Sequence, residues 1–149
     1  MLSISHAATG AFIASKVTNP LLYIPLTLAS HYIEDYVLHW DVGTGLSSGK
    51  RKRIHAFLFE LVDLGIAAAI VWWMMQTKTN PTQQLHMAIG AFMGLVPDFI
   101  EAPRNFFRYN PWFIKPLNAF HHAVHRSTPI MALGLYPQAL LLGAILWLV

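Results

Sequence analysis

The sequence predicts an all-α fold, a small integral membrane bundle of five to six helices. The chain of 149 residues is 55% hydrophobic and only 11% charged, whereas charged residues make up about a quarter of an ordinary soluble domain. Residues 127–149 carry no formal charge, and as a helix they are long enough to cross a hydrocarbon core of about 30 Å. No run of alternating apolar and polar residues favours a strand.

The helices are predicted to lie between turn and breaker signals. Asn19-Pro20, the glycine-containing segment 43–49 and Asn80-Pro81 separate the first four helices, and the proline-containing segment 97–116 precedes the fifth. Pro97 is expected to end the fourth helix, because its ring clashes with the preceding turn. The predicted helices cover residues 4–16, 20–40, 51–76, 83–98, 117–126 and 132–148. Since no linker or low-complexity tract interrupts them, residues 1–149 are predicted to form a single helical membrane domain.

Lysine and arginine are concentrated in two of the predicted loops. Residues 50–53 are all basic and segment 104–115 carries three more basic residues, whereas the loop between them has only Lys78. Because basic loops stay on the cytoplasmic side, we expect a multi-pass membrane protein with both loops facing the cytoplasm. Aromatic residues within 104–115 predict contact with membrane lipid. The net charge of +3 is too small and too local to predict a nucleic-acid partner.

A short motif occurs twice in the chain. The segments HAATGAF at 6–12 and HMAIGAF at 86–92 share the pattern HxxxGAF. Each copy is followed by a cluster of carboxylates and histidines, within 31–41 after the first and within 98–125 after the second. This repetition suggests an internal duplication.

The segment SHYIEDYVLHWD at 30–41 carries the strongest signal for a metal site. The chain has eight histidines and no cysteine, so any metal must be held by imidazole and carboxylate. His31, Asp35 and His39 recur every four residues, which on a helix places them on one face about 6 Å apart. We expect His31 and His39 to serve two ions with Asp35 between them. The alternative is a structural polar stripe at a helix interface.

A second cluster, FHHAVHR at 120–126, contains three more candidate ligands. His121, His122 and His125 can present two imidazoles to one ion on a helix. We predict that at least one of them converges with Asp35, because buried ionisable groups in a membrane protein need partners. The alternatives are a solvated histidine-rich turn or adventitious metal affinity.

Four further residues are candidates for the same site. Asp98, placed by Pro97 at the predicted end of a helix, is expected to reach an ion from the side. Glu101 is a candidate general base, or an acceptor that orients a ligand. His6 is either a ligand or a core histidine with a backbone partner. Arg126, or Arg104, is a candidate to neutralise charge that develops on a substrate.

Taken together, these blocks resemble the YdjM-like membrane-bound metal-dependent hydrolases, a family of small predicted inner-membrane proteins distantly similar to zinc-dependent phospholipase C and its nuclease relatives. The resemblance rests on an early histidine, SHYIED with LHWD, HxxxGxxxGLVPDFIE and HHAVHR, and covers about residues 1–41 and 82–130. It implies His6, His31, Asp35 and Asp98 as ligands, with His125-Arg126 where the family has an HRG segment. The chain departs from the family after PD, after HR and in the order of the blocks.

The resemblance implies a hydrolase of phosphoester bonds that uses one to three zinc-like divalent ions. Its substrate would be a small-molecule phosphoester, a phospholipid or a lipid-linked phosphate. The competing hypothesis from another class is a non-enzymatic membrane protein. In that case the clusters bind or conduct metal ions or protons, or only join helices.

Overall fold

The computed structural model describes residues 1–46 and 48–149 as a bundle of six α-helices. Three of them, Arg53–Gln76, Pro81–Phe107 and Met131–Leu148, are long and apolar enough to cross a membrane. The predicted all-α class is confirmed, since the described residues contain no strand and only one isolated bridge, between His39 and Ser127. The helices are α1 (Ser3–Lys16), α2 (Pro20–Tyr36), α3 (Arg53–Gln76), α4 (Pro81–Phe107), α5 (Lys115–Val124) and α6 (Met131–Leu148).

Large apolar side chains cover the outside of the bundle, and small ones fill its centre. Leu21, Trp112 and Trp147 are each more than 80% exposed, whereas Ala8 and Ala11 are fully buried. A soluble domain buries large apolar side chains and rarely exposes extended apolar patches. The distribution therefore suits a bundle surrounded by lipid.

The tightest helix contact joins the two copies of the HxxxGAF motif. A Cβ atom added to Gly10 of α1 would collide with the carbonyl oxygen of Gly90 of α4, and a Cβ added to Gly90 would collide with that of Gly10. Only glycine lets two backbones approach this closely. The reciprocal contact is the arrangement expected if the two motifs belong to related halves.

Both basic segments lie at the same end of the bundle. Arg53 donates from Nε to the carbonyl oxygen of Asn105 at 2.9 Å, and the ring of Phe57 packs edge-on against that of Phe106. Of the ten lysines and arginines, only Lys16 and Lys78 lie at the opposite end, where they bind the carbonyl oxygens of Leu148 and Val149. The bundle therefore has one strongly basic end.

The fourth helix does not end at Pro97, so that prediction is wrong. α4 continues through Pro97 and Pro103 and ends at Phe107, where Arg108 adopts a left-handed conformation with φ 58°. Prolines are tolerated in membrane helices where neighbouring elements supply partners for the backbone. Here His31 Nδ1 donates to the carbonyl oxygen of Gly94 at 2.7 Å. Asp98 consequently lies within a helix rather than at its end.

The second helix ends earlier than predicted, at Tyr36 rather than at residue 40. The backbone N–H of Arg126 donates to the carbonyl oxygen of Asp35 at 2.9 Å, and His39 exchanges hydrogen bonds with Arg126 and Thr128. This pairing with the segment after α5 replaces the last turn of the helix. The predicted helical position of His39 is therefore wrong, although the residue still reaches Asp35.

Candidate metal centre

The carboxylate of Asp35 lies at the centre of the cluster and is fully buried. Its Oδ2 atom is 2.7 Å from Nε2 of His121 and 3.4 Å from Nε2 of His31. Its Oδ1 atom is 3.7 Å from Nε2 of His39. The predicted convergence of Asp35 with the α5 histidines is confirmed, because His121 lies within hydrogen-bond distance of it.

The first group of potential ligands consists of Asp35, His31, His121 and Asp98. Each residue offers one ligand atom, and these four atoms all lie within 4.8 Å of one another. The Nε2 atoms of His31 and His121 are 3.4 Å apart. Asp98 Oδ1 is 3.7 Å from His31 Nε2 and 3.9 Å from His121 Nε2. Ligand atoms around a tetrahedral zinc ion are about 3.3 Å apart, given bonds of about 2.0 to 2.1 Å. These four residues therefore fit one divalent ion.

The second group consists of Asp35, His39 and His125. The Nε2 atoms of His39 and His125 are 3.0 Å apart. Oδ2 of Asp41, a residue given no role in the sequence analysis, is 3.3 Å from Nε2 of His39 and 3.2 Å from that of His125. Because Asp35 belongs to both groups, its two oxygens can serve two neighbouring ions.

Hydrogen bonds at the other ring nitrogens orient His31 and His39. His31 Nδ1 donates to the carbonyl oxygen of Gly94, and His39 Nδ1 donates to that of Val37 at 2.8 Å. In both residues the lone pair of Nε2 therefore faces Asp35, as metal ligation requires. Nδ1 of His121 makes no hydrogen bond within the described residues, and its nearest carboxylate oxygen is Oε2 of Glu101 at 3.5 Å.

His6 adjoins the cluster but belongs to neither group within the described residues. Its Nε2 is 3.2 Å from Oδ1 of Asp35, and its ring stacks on that of His31 with centroids 3.9 Å apart. The amino group of Met1 also contacts Asp35. Nδ1 of His6 lies 2.9 Å from Oε2 of Glu34. The sequence analysis assigned no role to Glu34, although it adjoins Asp35 in the motif.

Two predicted site residues lie outside the groups of ligands. His122 is exposed and lines a neighbouring cavity. Arg126 stacks its guanidinium on the ring of Tyr36 at 3.8 Å and donates to the Tyr36 hydroxyl at 2.7 Å. The guanidinium of Arg126 therefore binds Tyr36.

The cluster carries more carboxylates than compensating cations. Among the described residues, Glu101 pairs with Arg104 and Asp35 with the Met1 amino group, and the other close partners of these acids are imidazoles. Burial raises the pKa of Asp41, but the adjacent imidazoles of His125 and His39 outweigh this effect and hold that pKa well below its usual range. Buried carboxylates that stay ionised favour the binding of a divalent cation.

A cavity of about 340 Å³ adjoins the cluster. Its polar lining includes Asp41, Asp98, Arg104 and His125. Most of its apolar lining comes from α3 and α4. It includes Phe57, Leu61, Leu64, Phe99 and Phe106.

Gly134 of α6 supports the segment that carries His39. A Cβ atom at Gly134 would collide with the backbone nitrogen of Trp40, so we expect Gly134→Ala to displace residues 39–41 and to release the ion of the second group only. Metal analysis of the purified variant should show about one ion per chain instead of two. Gly143→Ala is the control, since no atom lies within 4 Å of the added Cβ. Equal metal content in both variants would contradict this role of Gly134.

The fold and the cluster together define an all-helical bundle with helices of membrane-spanning length around a buried histidine and aspartate centre that could hold metal. No family model matches the chain, and no curated protein or solved structure matches it either. The resemblance to the YdjM-like hydrolases therefore stays a prediction.

Proposed function

We propose that this chain is a membrane-embedded, metal-dependent hydrolase of phosphoester bonds, as the resemblance to the YdjM-like family implies. The main support is the carboxylate of Asp35, which presents one oxygen to each of two groups of nitrogen and oxygen ligands. Pairs of ions about 3.5 to 4 Å apart are a recurring feature of phosphatases and nucleases.

The ligands favour zinc or a similar divalent ion. His31, Asp98 and His121 would hold one ion and His39 and His125 the other, and imidazole with carboxylate suits zinc. When bound, two such ions activate water for attack and offset the charge that develops on phosphoryl oxygens.

The residues around the two groups have separable roles in this proposal. Glu101 lies beside His121 and, because it also lines the cavity, can hold a proton released during hydrolysis. Arg104 lines the same cavity and pairs with Glu101 at 3.2 Å. It is therefore better placed than Arg126 to bind the phosphoryl group.

The cavity supports a lipid as the substrate. Its lining contains carboxylates, imidazoles and a guanidinium together with aromatic and aliphatic side chains. A phospholipid or a lipid-linked phosphate offers both a charged headgroup and apolar chains to such a lining. Binding sites of about 300 to 1,000 Å³ are the usual size for small ligands.

The test is turnover of a phospholipid in mixed micelles, and of a chromogenic phosphodiester, by the detergent-purified protein. We expect activity to disappear after metal chelation and to return when zinc is added. Activity that survives complete removal of metal, or that is equal in Asp35→Ala and the unmodified protein, would contradict the proposal. Metal binding without turnover of either substrate would favour the non-enzymatic alternative.

The two arginines give a sharper prediction. Arg104→Gln should lower turnover by about 100-fold, the usual cost of removing one donor to developing charge in an active site. Arg126→Gln is the matched control, because its guanidinium binds Tyr36, and should leave turnover within about threefold. The reverse order of effects in a steady-state assay would assign the phosphoryl group to Arg126.

We further propose a location in the cell inner membrane with the metal centre facing the cytoplasm. The support is that Asp98 and His125 share a cavity with Arg104 of the basic segment 104–115, and that basic loops stay on the cytoplasmic side. Because the chain has no cysteine, single cysteines can report orientation. Ser48→Cys should resist an impermeant thiol reagent added to intact cells, whereas Thr79→Cys at the opposite end should react. The opposite labelling pattern would place the metal centre on the outer face.

A further inference from the structure

The face of α2 that carries the metal ligands continues as a polar column away from the metal centre. Tyr23, Thr27, His31 and Asp35 recur every four residues and each is 0% exposed. They face α1 and α4, since the methyl group of Thr27 would lie 2.9 Å from a Cβ placed on Gly10. His31 and Asp35 belong to the metal centre, whereas Tyr23 and Thr27 have no role in it.

The polar atoms of this continuation have no partner within the part of the chain that the structure describes. This is so for the hydroxyls of Tyr23 and Thr27 and for Nδ1 of His86 on α4. The rings of Tyr23 and His86 lie with their centroids 5.5 Å apart. Unpartnered polar atoms are costly inside a membrane bundle, and buried water commonly completes their hydrogen bonds.

The spacing of these groups suits single bridging waters. Side chains four residues apart on a helix lie about 6 Å from each other, which is about the span of two hydrogen bonds through one water. The column from His31 to Tyr23 covers about 12 Å of α2. His86 is only partly buried and lies in the second turn of α4, near the end opposite the metal centre. The polar groups therefore reach from the metal centre almost to the opposite end of the bundle.

We propose that α1, α2 and α4 enclose a hydrated seam, defined by Tyr23, Thr27 and His86, that carries protons between the metal centre and the opposite end of the bundle. Hydroxyls and imidazoles both donate and accept hydrogen bonds, so a chain of them with water can pass protons. Because Tyr23, Thr27 and His86 include no carboxylate that could compensate the charge of a metal cation, the seam suits protons rather than metal ions. The seam is independent of the proposed hydrolysis.

Proton uptake into vesicles tests the seam. The full chain is reconstituted in liposomes that contain a pH-sensitive dye, and valinomycin with a potassium gradient drives protons inward. We expect uptake to be faster than in protein-free liposomes. Thr27→Val and Tyr23→Phe should each slow it by about tenfold, because each variant removes one hydrogen-bonding step while nearly keeping side-chain volume.

Tyr136→Phe is the matched control, because Tyr136 is 66% exposed on α6, and its uptake should equal that of the unmodified protein. Circular dichroism in detergent confirms that each variant is folded, and a variant that fails to fold is replaced by His86→Phe. Uptake no faster than in protein-free liposomes would overturn the proposal. So would unchanged uptake in folded Thr27→Val and Tyr23→Phe.

Discussion

Asp35→Ala should abolish metal binding at both groups at once. The unmodified protein is expected to hold about two zinc ions per chain after dialysis against zinc, and the variant close to none, because both ions would share this carboxylate. Elemental analysis of the purified protein measures the loss directly. The substitution removes both oxygens that face the histidines, so a single change has a larger effect than the loss of any one imidazole.

Substitutions of single histidines separate the two groups. His31→Ala should release one ion and His39→Ala the other, since each belongs to one group only. His55→Ala is the control, because His55 is exposed on α3 and should leave both ions bound. If Asp35→Ala binds as much zinc as the unmodified protein, the histidines join helices and do not form a metal centre.

Gly90→Ala should have the largest effect on stability. The added methyl group would collide with a backbone carbonyl of α1 and with the Cβ atom of Ala14, and neither can move without separating α1 from α4. We expect the free energy of unfolding to fall by about 3 kcal/mol, the upper end of the usual range for overpacking, because the collision is with backbone atoms. Denaturant titration in detergent, followed by circular dichroism, measures the change.

The control for this substitution is Gly65→Ala on α3. No atom lies within 4 Å of a Cβ at Gly65, so the methyl group meets no protein atom and should stabilise the helix by about 1 kcal/mol. Equal destabilisation in the two variants would contradict a specific contact at Gly90. The same comparison applies to Gly10→Ala, whose collision is reciprocal.

Composition and turn residues were sufficient to predict the all-α class and the approximate position of every helix. Helix ends were predicted less well where distant segments decide them. The end of α2 depends on hydrogen bonds with Arg126 and Thr128, and the continuation of α4 through Pro97 depends on packing against α2. Local helix propensity cannot predict either contact, because each contact joins residues far apart in the chain.

Residue type and spacing within two short segments were sufficient to find the candidate ligands. They could not show that Asp41 lies near His125, or that Glu34 faces His6, because those contacts depend on the paths of the loops. The polar continuation of α2 did leave a signal in the sequence. Tyr23 and Thr27 extend the four-residue spacing of His31 and Asp35 towards the start of α2. Hydroxyl residues in an apolar helix are, however, a weaker indication of a functional site than histidines.

The pairing of the segment after α2 with the segment after α5 has a consequence for the biogenesis of the protein. Asp35 and His121 are 86 residues apart. At usual rates of translation, on the order of ten seconds therefore pass between the synthesis of Asp35 and that of His121. During that interval α2 carries the buried carboxylate of Asp35 without its imidazole partner on α5. Completion of the histidine and aspartate cluster is therefore a late step of assembly, after both α2 and α5 have been synthesised.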